Sequence, residues 1–408
     1  MLARALRSAP RQRAALSLSS STTPSRLPLS QPILKQMAPL SSTSVRSACG
    51  STAKSRPSRF PAPVAPEKIP NSSICVLRTV AALRAHTAPL TRDHRTLSLV
   101  PTMGALHAGH LALIRAAALA SHNVIVSLYV NPAQFGPKED LASYPRTWDA
   151  DAAALARLSR SLADDPDVLG KISAVFAPST EELYPGGFPG QDIDSPGSFV
   201  TITPLAARLE GSSRPTFFRG VATVCAKLFN AVQPQQVYFG QKDVQQTVVI
   251  RRLVRDFLFP TEVVVVPTVR EPDGLALSSR NVYLGERRRA AATVLHRALQ
   301  AAEGAYDGGE LEAGAVLAAA RAVTDKVAAE QAALAAEDRV RFEVDYISLT
   351  DPDTMEDIVA IDPARGAILC GAVKMLPVEA PKEGEDLGLS GGPAVRLIDN
   401  IILPPKAS

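Results

Sequence analysis

The chain has 408 residues, of which 46% are hydrophobic and 21% are charged, so it has the composition of a globular protein and is not disordered throughout. No apolar run approaches the ~18 residues that cross a bilayer, and the four cysteines (Cys49, Cys75, Cys225, Cys370) stand too far apart for a disulfide framework or a CxxC zinc site, which fits a soluble protein of a reducing compartment. The first 66 residues carry ten Lys and Arg and no acid. Residues 67–408 therefore hold 34 bases and 40 acids, a net charge of −6. This part of the chain lacks the basic surface that a nucleic-acid binder needs.

The amino-terminal segment, residues 1–66, is rich in Arg, Ser and Pro and is free of acids. This composition is that of a mitochondrial transit peptide, and it is equally that of a disordered extension without an address. Initiation at Met37 would discard the first Leu/Arg pattern and leave a cytosolic product. The sequence therefore predicts a leader and leaves cytoplasmic and mitochondrial localisation open.

Beyond residue 70, continuous apolar segments of strand length alternate with amphipathic segments of helix length. The predicted strands are 96–102, 123–130, 174–179, 236–240 and 262–269, and the predicted helices are 110–120, 151–158, 221–232 and 245–257. This alternation predicts an α/β domain over residues 67–284, a Rossmann-like, doubly wound parallel sheet covered on both faces. In such sheets ligands bind at the carboxyl ends of the strands.

The pattern of predicted secondary structure changes near residue 285. Two Ala-rich helical stretches, 287–305 and 311–338, precede three strand-like runs, 342–351, 366–375 and 395–403. Residues 285–408 are therefore expected to form a smaller α+β domain. Two segments of loop composition, 159–171 and 377–393, are predicted to be insertions.

The first polar cluster is PTMGALHAGH, residues 101–110, between a predicted strand and a predicted helix. If the helix begins near Gly109, His107 and His110 point to one side of its first turn, where free N–H groups and the helix dipole favour phosphate. Gly104 and Gly109 have no side chain, which lets the backbone approach a nucleotide closely. An HxxH spacing alone is more often two unrelated histidines or half of a metal site, and no third ligand stands at a recognisable spacing, so no protein metal site is predicted.

Three further clusters follow predicted strands. In YFGQKDVQQ, Gly240 permits close backbone approach, Lys242 supplies a point charge for phosphate, and Asp243 suits a ribose hydroxyl or a magnesium shell. Gln246 lies one helical turn beyond Lys242 and can face the same cleft. In VNPAQF, Gln134 carries an amide suited to a small hydroxylated acid.

The remaining cluster is GLALSSRN, residues 274–281, in which a Gly-containing loop offers the hydroxyls of Ser278 and Ser279 and the planar cation Arg280. Such a loop can close over a triphosphate. Singly, these clusters are ordinary polar loops or surface ion pairs. Together they follow successive parallel strands, so one cleft is expected to gather them.

The chain also resembles the pantothenate synthetases (pantoate–beta-alanine ligases) of the HxGH nucleotidyltransferase superfamily. The motifs that carry the resemblance are PTMGALHAGH, VNPAQF, YPRT, LEGSSRPTFFRGVATV, VYFGQKDVQQ, VPTVREPDGLALSSRN, VDYISLTDPDT and RLIDNIIL. The leader, segment 159–171 and the long carboxy-terminal domain resemble fungal-type members. The resemblance implies an ATP-dependent ligase that joins pantoate to β-alanine through pantoyl adenylate, with Mg²⁺ accompanying ATP, no dedicated protein metal cage, and a homodimeric assembly.

The resemblance also implies roles by matched position. His110 would be a proton donor and His107 a phosphate partner, Val269 would lie against adenine, and Gln134 and Gln246 would hold pantoate. The remaining residues implied for the nucleotide site are Met103, Gly104, Gly109, Gly240, Gln241, Lys242, Asp243, Leu277, Ser278, Ser279 and Arg280.

The chain departs from the family pattern at three of these motifs. Gln241 stands where an acid is common, and Phe217 stands where a histidine is frequent, so neither acidic nor imidazole chemistry is expected at these positions. Leu277 stands where many members have methionine, a change that conserves volume and is expected to be tolerated.

Two rival hypotheses come from other classes of function. One is a nucleotidyltransferase of the same fold that joins ATP or CTP to a phosphorylated acceptor. The other is a regulatory module that binds a nucleotide without catalysis, against which the full set of charge-stabilising residues counts.

Overall fold

A seven-stranded sheet, parallel except at one edge, organises the first part of the computed structural model, which describes residues 67–137, 139 and 141–406; the predicted leader lies outside them. Its strands are β1 (Glu67–Lys68), β2 (Cys75–Leu77), β3 (Leu97–Thr102), β4 (Asn123–Leu128), β5 (Lys171–Phe176), β6 (Gln236–Gly240) and β7 (Glu262–Val266). Their order is β1-β2-β5-β4-β3-β6-β7, and only the pairing of β1 with β2 is antiparallel. Successive strands after β3 are added to both sides of it, so the predicted doubly wound α/β fold is confirmed.

Helices cover both faces of this sheet. They are α1 (Val80–Arg92), α2 (Ala108–Ala120), α3 (Trp148–Ala163), α4 (Thr180–Leu183), α5 (Glu210–Ser213), α6 (Phe217–Val232) and α7 (Val244–Asp256). One core joins Leu83 of α1 to α6 and α7, and the other joins Ile114 of α2 to Leu155 of α3. Because both faces are buried, the central strands carry apolar residues almost without interruption.

The segment 159–171, predicted to be an insertion of loop composition, is more regular than expected. Residues 159–163 complete α3, where Leu162 is buried, and Lys171 opens β5. The turn between them is fixed at Gly170, whose amide donates to the Ala118 carbonyl at 2.9 Å. The prediction of a loop over the whole segment was wrong because the apolar face of α3 continues across it.

A second sheet is antiparallel and follows three helices. The elements are α8 (Gly285–Ala291), α9 (Val294–Asp307), α10 (Ala313–Ala332), β8 (Phe342–Thr350), β9 (Ala367–Met375) and β10 (Val395–Leu403), and the strand order is β10-β9-β8. The stretch 287–305, expected to be one helix, is divided between α8 and α9. Leu295 and Leu299 of α9 pack on β9, and a Cβ at Gly371 would lie 2.6 Å from the Leu295 side chain. In the part of the chain that the structure describes, no helix is both long and apolar enough to traverse a bilayer.

Gly220 lies where α6 packs closely against the turn that carries Gln134. A Cβ at Gly220 would overlap the Ala133 carbonyl and lie 2.8 Å from the Gln134 nitrogen. We expect Gly220→Ala to lower the free energy of unfolding by about 1–3 kcal/mol, since backbone must shift. Gly304→Ala, in an exposed turn of α9 with open space, should raise it by about 0.5–1 kcal/mol. Urea denaturation measures both, and equal stability of the two variants would contradict the packing argument.

Candidate active site

The described residues enclose a cleft of about 760 Å³ at the carboxyl ends of β3, β4 and β6. Most of the residues predicted from the sequence line it: Met103, His107, Gly109, His110, Gln134, Gly240, Lys242, Asp243, Gln246, Val269, Leu277, Ser278, Ser279 and Arg280. Gly104 and Gln241 do not. Gly104 instead makes the turn after β3, with φ +85°, and the Gln241 amide donates to Asn400 Oδ1 at 3.3 Å. The expectation that one cleft gathers the clusters is therefore confirmed for all but these two.

His107 and His110 face each other across the first turn of α2, with ring centroids 4.1 Å apart. His107 is the N-cap residue, and its Nδ1 accepts from the Gly109 amide at 3.2 Å. The His107 amide in turn donates to Nδ1 of His110 at 3.4 Å. Because both Nδ1 atoms are acceptors, each neutral imidazole carries its proton on Nε2. The cap therefore fixes both tautomers as Nε2–H donors.

Burial and nearby cations keep both imidazoles neutral. Burial is the main cause that lowers the pKa of His107 to about 4 and that of His110 to about 3, and the Lys242 ammonium lowers both further. Near pH 7 the two side chains are therefore hydrogen-bond donors without charge. The role of proton donor implied for His110 stays a prediction, and in this environment an imidazolium would need the charge of a bound phosphate to stabilise it.

Asp151 holds the loop that carries the two histidines, a function the sequence did not reveal. Its buried carboxylate accepts from the amides of Ala105 at 3.0 Å and Leu106 at 2.7 Å. Gly104 adopts φ +85° without strain, but Ala105, at φ +50°, is held in a conformation that costs a residue with a side chain, and the two hydrogen bonds offset that cost. An acid in the first turn of a helix usually interacts with the dipole of its own helix, so nothing in the local pattern indicated a longer reach.

Lys242 lies in the 3₁₀ turn Gln241–Asp243 that follows β6, and its ammonium is 3.6 Å from the Asp243 carboxylate. Asn400 on β10 fixes this turn from the other sheet. Its buried Nδ2 donates to the Gln241 and Lys242 carbonyls, each at 2.8 Å. Asn400 was predicted only as part of a strand, so its contact with the Lys242 turn is a second feature that sequence reasoning missed.

The Ser278–Arg280 loop is ordered by its own hydroxyl. Ser278 Oγ accepts from the Arg280 amide at 3.3 Å and caps the 3₁₀ turn Ser279–Tyr283. The Leu277 amide donates to the Val269 carbonyl at 3.0 Å, which joins the two residues implied for the nucleotide site. Tyr144 borders the loop, with its hydroxyl 3.5 Å from Ser279 Oγ. The loop thus lines the cleft together with Tyr144.

The orientation of the Gln134 amide is set by its neighbours. Asn131 is buried, and its Oδ1 accepts from the Tyr184 hydroxyl at 2.8 Å. Its Nδ2 must therefore be the atom that donates to the Gly220 carbonyl at 3.2 Å and to Gln134 Oε1 at 3.0 Å. Gln134 consequently presents its amide nitrogen to a ligand.

Phe217, at the position where a histidine is frequent in the family pattern, contacts a cation. The Arg214 guanidinium lies 3.9 Å from the ring centroid, donates to the Gln134 carbonyl at 3.0 Å and pairs with Glu139. Both Arg214 and Phe217 line the cleft. The positive charge beside Gln134 was not predicted from the sequence, because Gln134 and Glu139 stand 80 and 75 positions from Arg214 in the chain.

Comparisons with known proteins agree on one family. The model for pantoate-beta-alanine ligases matches residues 75–402. The pantothenate synthetase of Roseiflexus castenholzii is 47% identical over 283 residues, which cover 69% of this chain and 89% of the relative. That of Chloroflexus aurantiacus is 46% identical over 329 residues, covering 80% of this chain and 98% of the relative.

Solved structures of the same kind are similar to the chain. The pantothenate synthetase of Thermus thermophilus is 40% identical, with a TM-score of 0.63, and the match covers 81% of this chain and 99% of that one. The pantoate-beta-alanine ligase of Francisella tularensis, crystallised with beta-gamma ATP and beta-alanine, is 27% identical, with a TM-score of 0.57, over 81% of this chain and 97% of that one.

The lowered histidine pKa values predict a loss of stability on acidification. A folded pKa below the unfolded value of about 6.5 means that the unfolded chain takes up protons first as the pH falls, so stability is lost from about pH 6.5 downward. We expect the wild type to lose roughly 2 kcal/mol more than His110→Gln between pH 7 and pH 5. Urea denaturation without nucleotide measures this difference. Parallel pH profiles for the two proteins would contradict the assignment of neutral His110.

Proposed function

The chain belongs to the pantoate–beta-alanine ligase family, and from that membership we propose which of its residues carry the two steps of the reaction. The activity of the family is the ATP-dependent condensation of pantoate with β-alanine in pantothenate biosynthesis. In the first step a pantoate carboxylate oxygen bonds to the α-phosphorus of ATP, and the bond from that phosphorus to the pyrophosphate oxygen breaks. In the second, the β-alanine nitrogen bonds to the pantoyl carbonyl carbon, loses a proton, and AMP leaves.

The observation that carries the assignment is the convergence of donors where β3 and β6 separate. The Nε2–H groups of His107 and His110, the ammonium of Lys242, and the side chains of Ser278, Ser279 and Arg280 all line the cleft. These groups suit negative charge that moves onto a departing pyrophosphate. The first step needs alignment and charge stabilisation without a protein nucleophile, and such groups supply both.

Gln134 and Gln246 are assigned to pantoate, and Met103, Gly109, Gly240, Val269 and Leu277 to the nucleotide. Gln134 presents an amide nitrogen, which suits a hydroxyl or carboxylate oxygen of pantoate. The ring of Phe217 and the Arg214 guanidinium that contacts it line the same cleft. The pocket for the acid therefore combines amide donors, a cation and an apolar ring.

Mg²⁺ is expected to accompany ATP. Among the described residues no group of three or more His, Cys, Asp or Glu side chains forms a cage, but the half-exposed Asp243 lines the cleft beside Lys242. One carboxylate with phosphate oxygens and water is the usual protein contribution to a nucleotide-bound Mg²⁺, so the residues fit the ion. When bound, the ion would neutralise charge on the phosphate oxygens.

We also propose a homodimer, which the family resemblance supports. Light scattering on the full chain tests it, and a monomer at micromolar concentration would contradict the proposal.

The basic leader supports a mitochondrial product from Met1 and a cytoplasmic product from Met37. Reporter fusions begun at each methionine separate these cases, and the same location for both would reject the leader as an address.

The full chain with Mg-ATP should release AMP only when both pantoate and β-alanine are present, together with pantothenate. Lys242→Ala and His110→Ala should each slow single-turnover pyrophosphate release by about 10²–10³, since each removes one positioned donor. Lys326→Ala, at an exposed position on α10, is the matched control. Wild-type rates in either folded variant would reject the site. Release of AMP with another acceptor would favour the nucleotidyltransferase hypothesis, and nucleotide binding without turnover would favour the regulatory module.

Gln134→Ala should raise the KM for pantoate by about 10–100-fold, because one hydrogen bond to a charged or polar group of the acid is lost. The KM for ATP should stay unchanged, since Gln134 is assigned to pantoate and not to the nucleotide. Steady-state kinetics with each substrate varied in turn measures both constants. An unchanged pantoate KM would place Gln134 outside the acid pocket.

A further inference from the structure

The segment between β9 and β10 is far longer than the connection requires. Met375 and Val395 are paired across the antiparallel strands, so a hairpin turn of two to five residues could join them. Residues 376–394 make the connection instead. Long connections with little secondary structure of their own are usually functional. This segment contains only the short 3₁₀ turn Leu389–Gly391 and includes the predicted insertion 377–393.

The segment folds back onto the residues that follow the Ser278–Arg280 loop. The Glu286 amide donates to the Asp386 carbonyl at 3.2 Å, and Arg287 pairs with Glu385 at 2.5 Å, both side chains being largely buried. At Gly388 a Cβ would lie 2.5 Å from the Tyr283 carbonyl group, so the two backbones are in direct contact. Residues 385–388 of the connection are therefore packed against Tyr283 and the start of α8, directly after the Ser278–Arg280 loop.

Arg288 on α8 is the residue that joins the two segments. Its side chain is only 1% exposed, and its hydrogen bonds within the described residues all end on main-chain carbonyls. On the loop side it donates to Leu284 at 2.9 Å and to Tyr283. On the side of the connection it donates to Pro393 at 2.7 Å and Leu387 at 3.0 Å. A buried guanidinium needs all these acceptors, so it holds both segments in one arrangement.

The segments that Arg288 joins both extend to the cleft. Tyr283 ends the 3₁₀ turn that begins at Ser279, and its hydroxyl donates to the Ser143 carbonyl at 3.2 Å. Ser390 and Pro393 of the connection line the same cleft as Ser279 and Arg280. The connection thus continues the cleft wall that the loop begins.

We propose that residues 377–393 are a brace that positions the Ser278–Arg280 loop for adenylation, with Arg288 as the residue that couples brace to loop. The proposal rests on the proposed function, in which this loop contacts the triphosphate. Its specific consequence is that the brace serves the first step, in which pyrophosphate leaves, and not the attack of β-alanine on pantoyl adenylate already formed.

The test perturbs the contact from the side of the brace, because removal of the buried Arg288 would unfold the region. Gly388→Ala places a methyl group against Tyr283, and Gly384→Ala is its matched control. Both glycines lie in the same connection with similar φ, +87° and +74°, but a Cβ at Gly384 meets nothing within 4 Å. Both variants place a side chain at positive φ, and the backbone strain is larger at Gly388, where ψ is 176°. Only Gly388→Ala also pushes on Tyr283, so the decisive readout is which of its two rates falls.

Two rates are measured on the full chain: single-turnover pyrophosphate release from ATP and pantoate, and pantothenate formation from supplied pantoyl adenylate and β-alanine. For Gly388→Ala we expect the first rate to fall by about 10–100-fold, since a displacement of about 1 Å has effects of this size, while the second is unchanged. For Gly384→Ala both rates should stay within about twofold of wild type.

Equal behaviour of the two variants, or a proportional fall of both rates in Gly388→Ala, would overturn the brace, because a general loss of structure affects both steps. The two rates measured on the wild type distinguish failure of the brace from failure of the proposed function. If the wild type consumes neither ATP nor pantoyl adenylate, the function and the brace that rests on it are both rejected.

Discussion

The cleft exists because β3 is paired unequally with its two neighbours. It is paired with β4 over its whole length, from Leu97 to Thr102, but with β6 only through Ser98 and Leu99. The carboxyl ends of β3 and β6 therefore separate at the point where the strand order reverses. The loop with His107 leaves on one side of this gap and the turn with Lys242 on the other, which is the geometry by which doubly wound sheets bind nucleotides.

The charges around the cleft are arranged for an anion. The buried or half-buried carboxylates near it already face a donor: Asp151 accepts from two amides, Asp399 pairs with Arg270 at 2.6 Å, and Glu210 pairs with Arg396. The two histidines are neutral and present N–H groups. A triphosphate entering this space meets donors whose orientation is already fixed, so little reorganisation is needed when charge moves onto pyrophosphate.

The antiparallel sheet takes part in the site through β10 and its connection. Asn400 holds the Lys242 turn, and Arg396 of the same strand pairs with Glu210, which also accepts from the Tyr346 hydroxyl at 3.0 Å. Burial and the Glu210 carboxylate raise the pKa of Tyr346 far above its usual value, so it remains a donor. The second sheet therefore fixes the Lys242 turn of the first, and the proposed brace would extend this relation to the Ser278–Arg280 loop.

The sequence by itself determined the parallel α/β sheet, the three carboxy-terminal strands and the clusters at the ends of β3, β4, β6 and β7. Each of these features can be recognised from local periodicity or from a contiguous motif. The hydrophobic pattern of a strand is a property of its own residues and does not depend on which element packs against it. It did not reveal the first helix, α1, or the division between α8 and α9.

Only the tertiary structure decided which atoms each site residue presents. The Asp151 carboxylate reaches amides 45 and 46 positions earlier in the chain, Asn400 reaches carbonyls 158 and 159 positions away, and Arg288 reaches Pro393 at a separation of 105. Contacts of this kind depend on where two distant segments meet after folding, and neither segment alone carries a periodicity that reports the other. The residue types of the site were thus readable from the chain, while tautomers, amide orientation and the support of each loop required the fold.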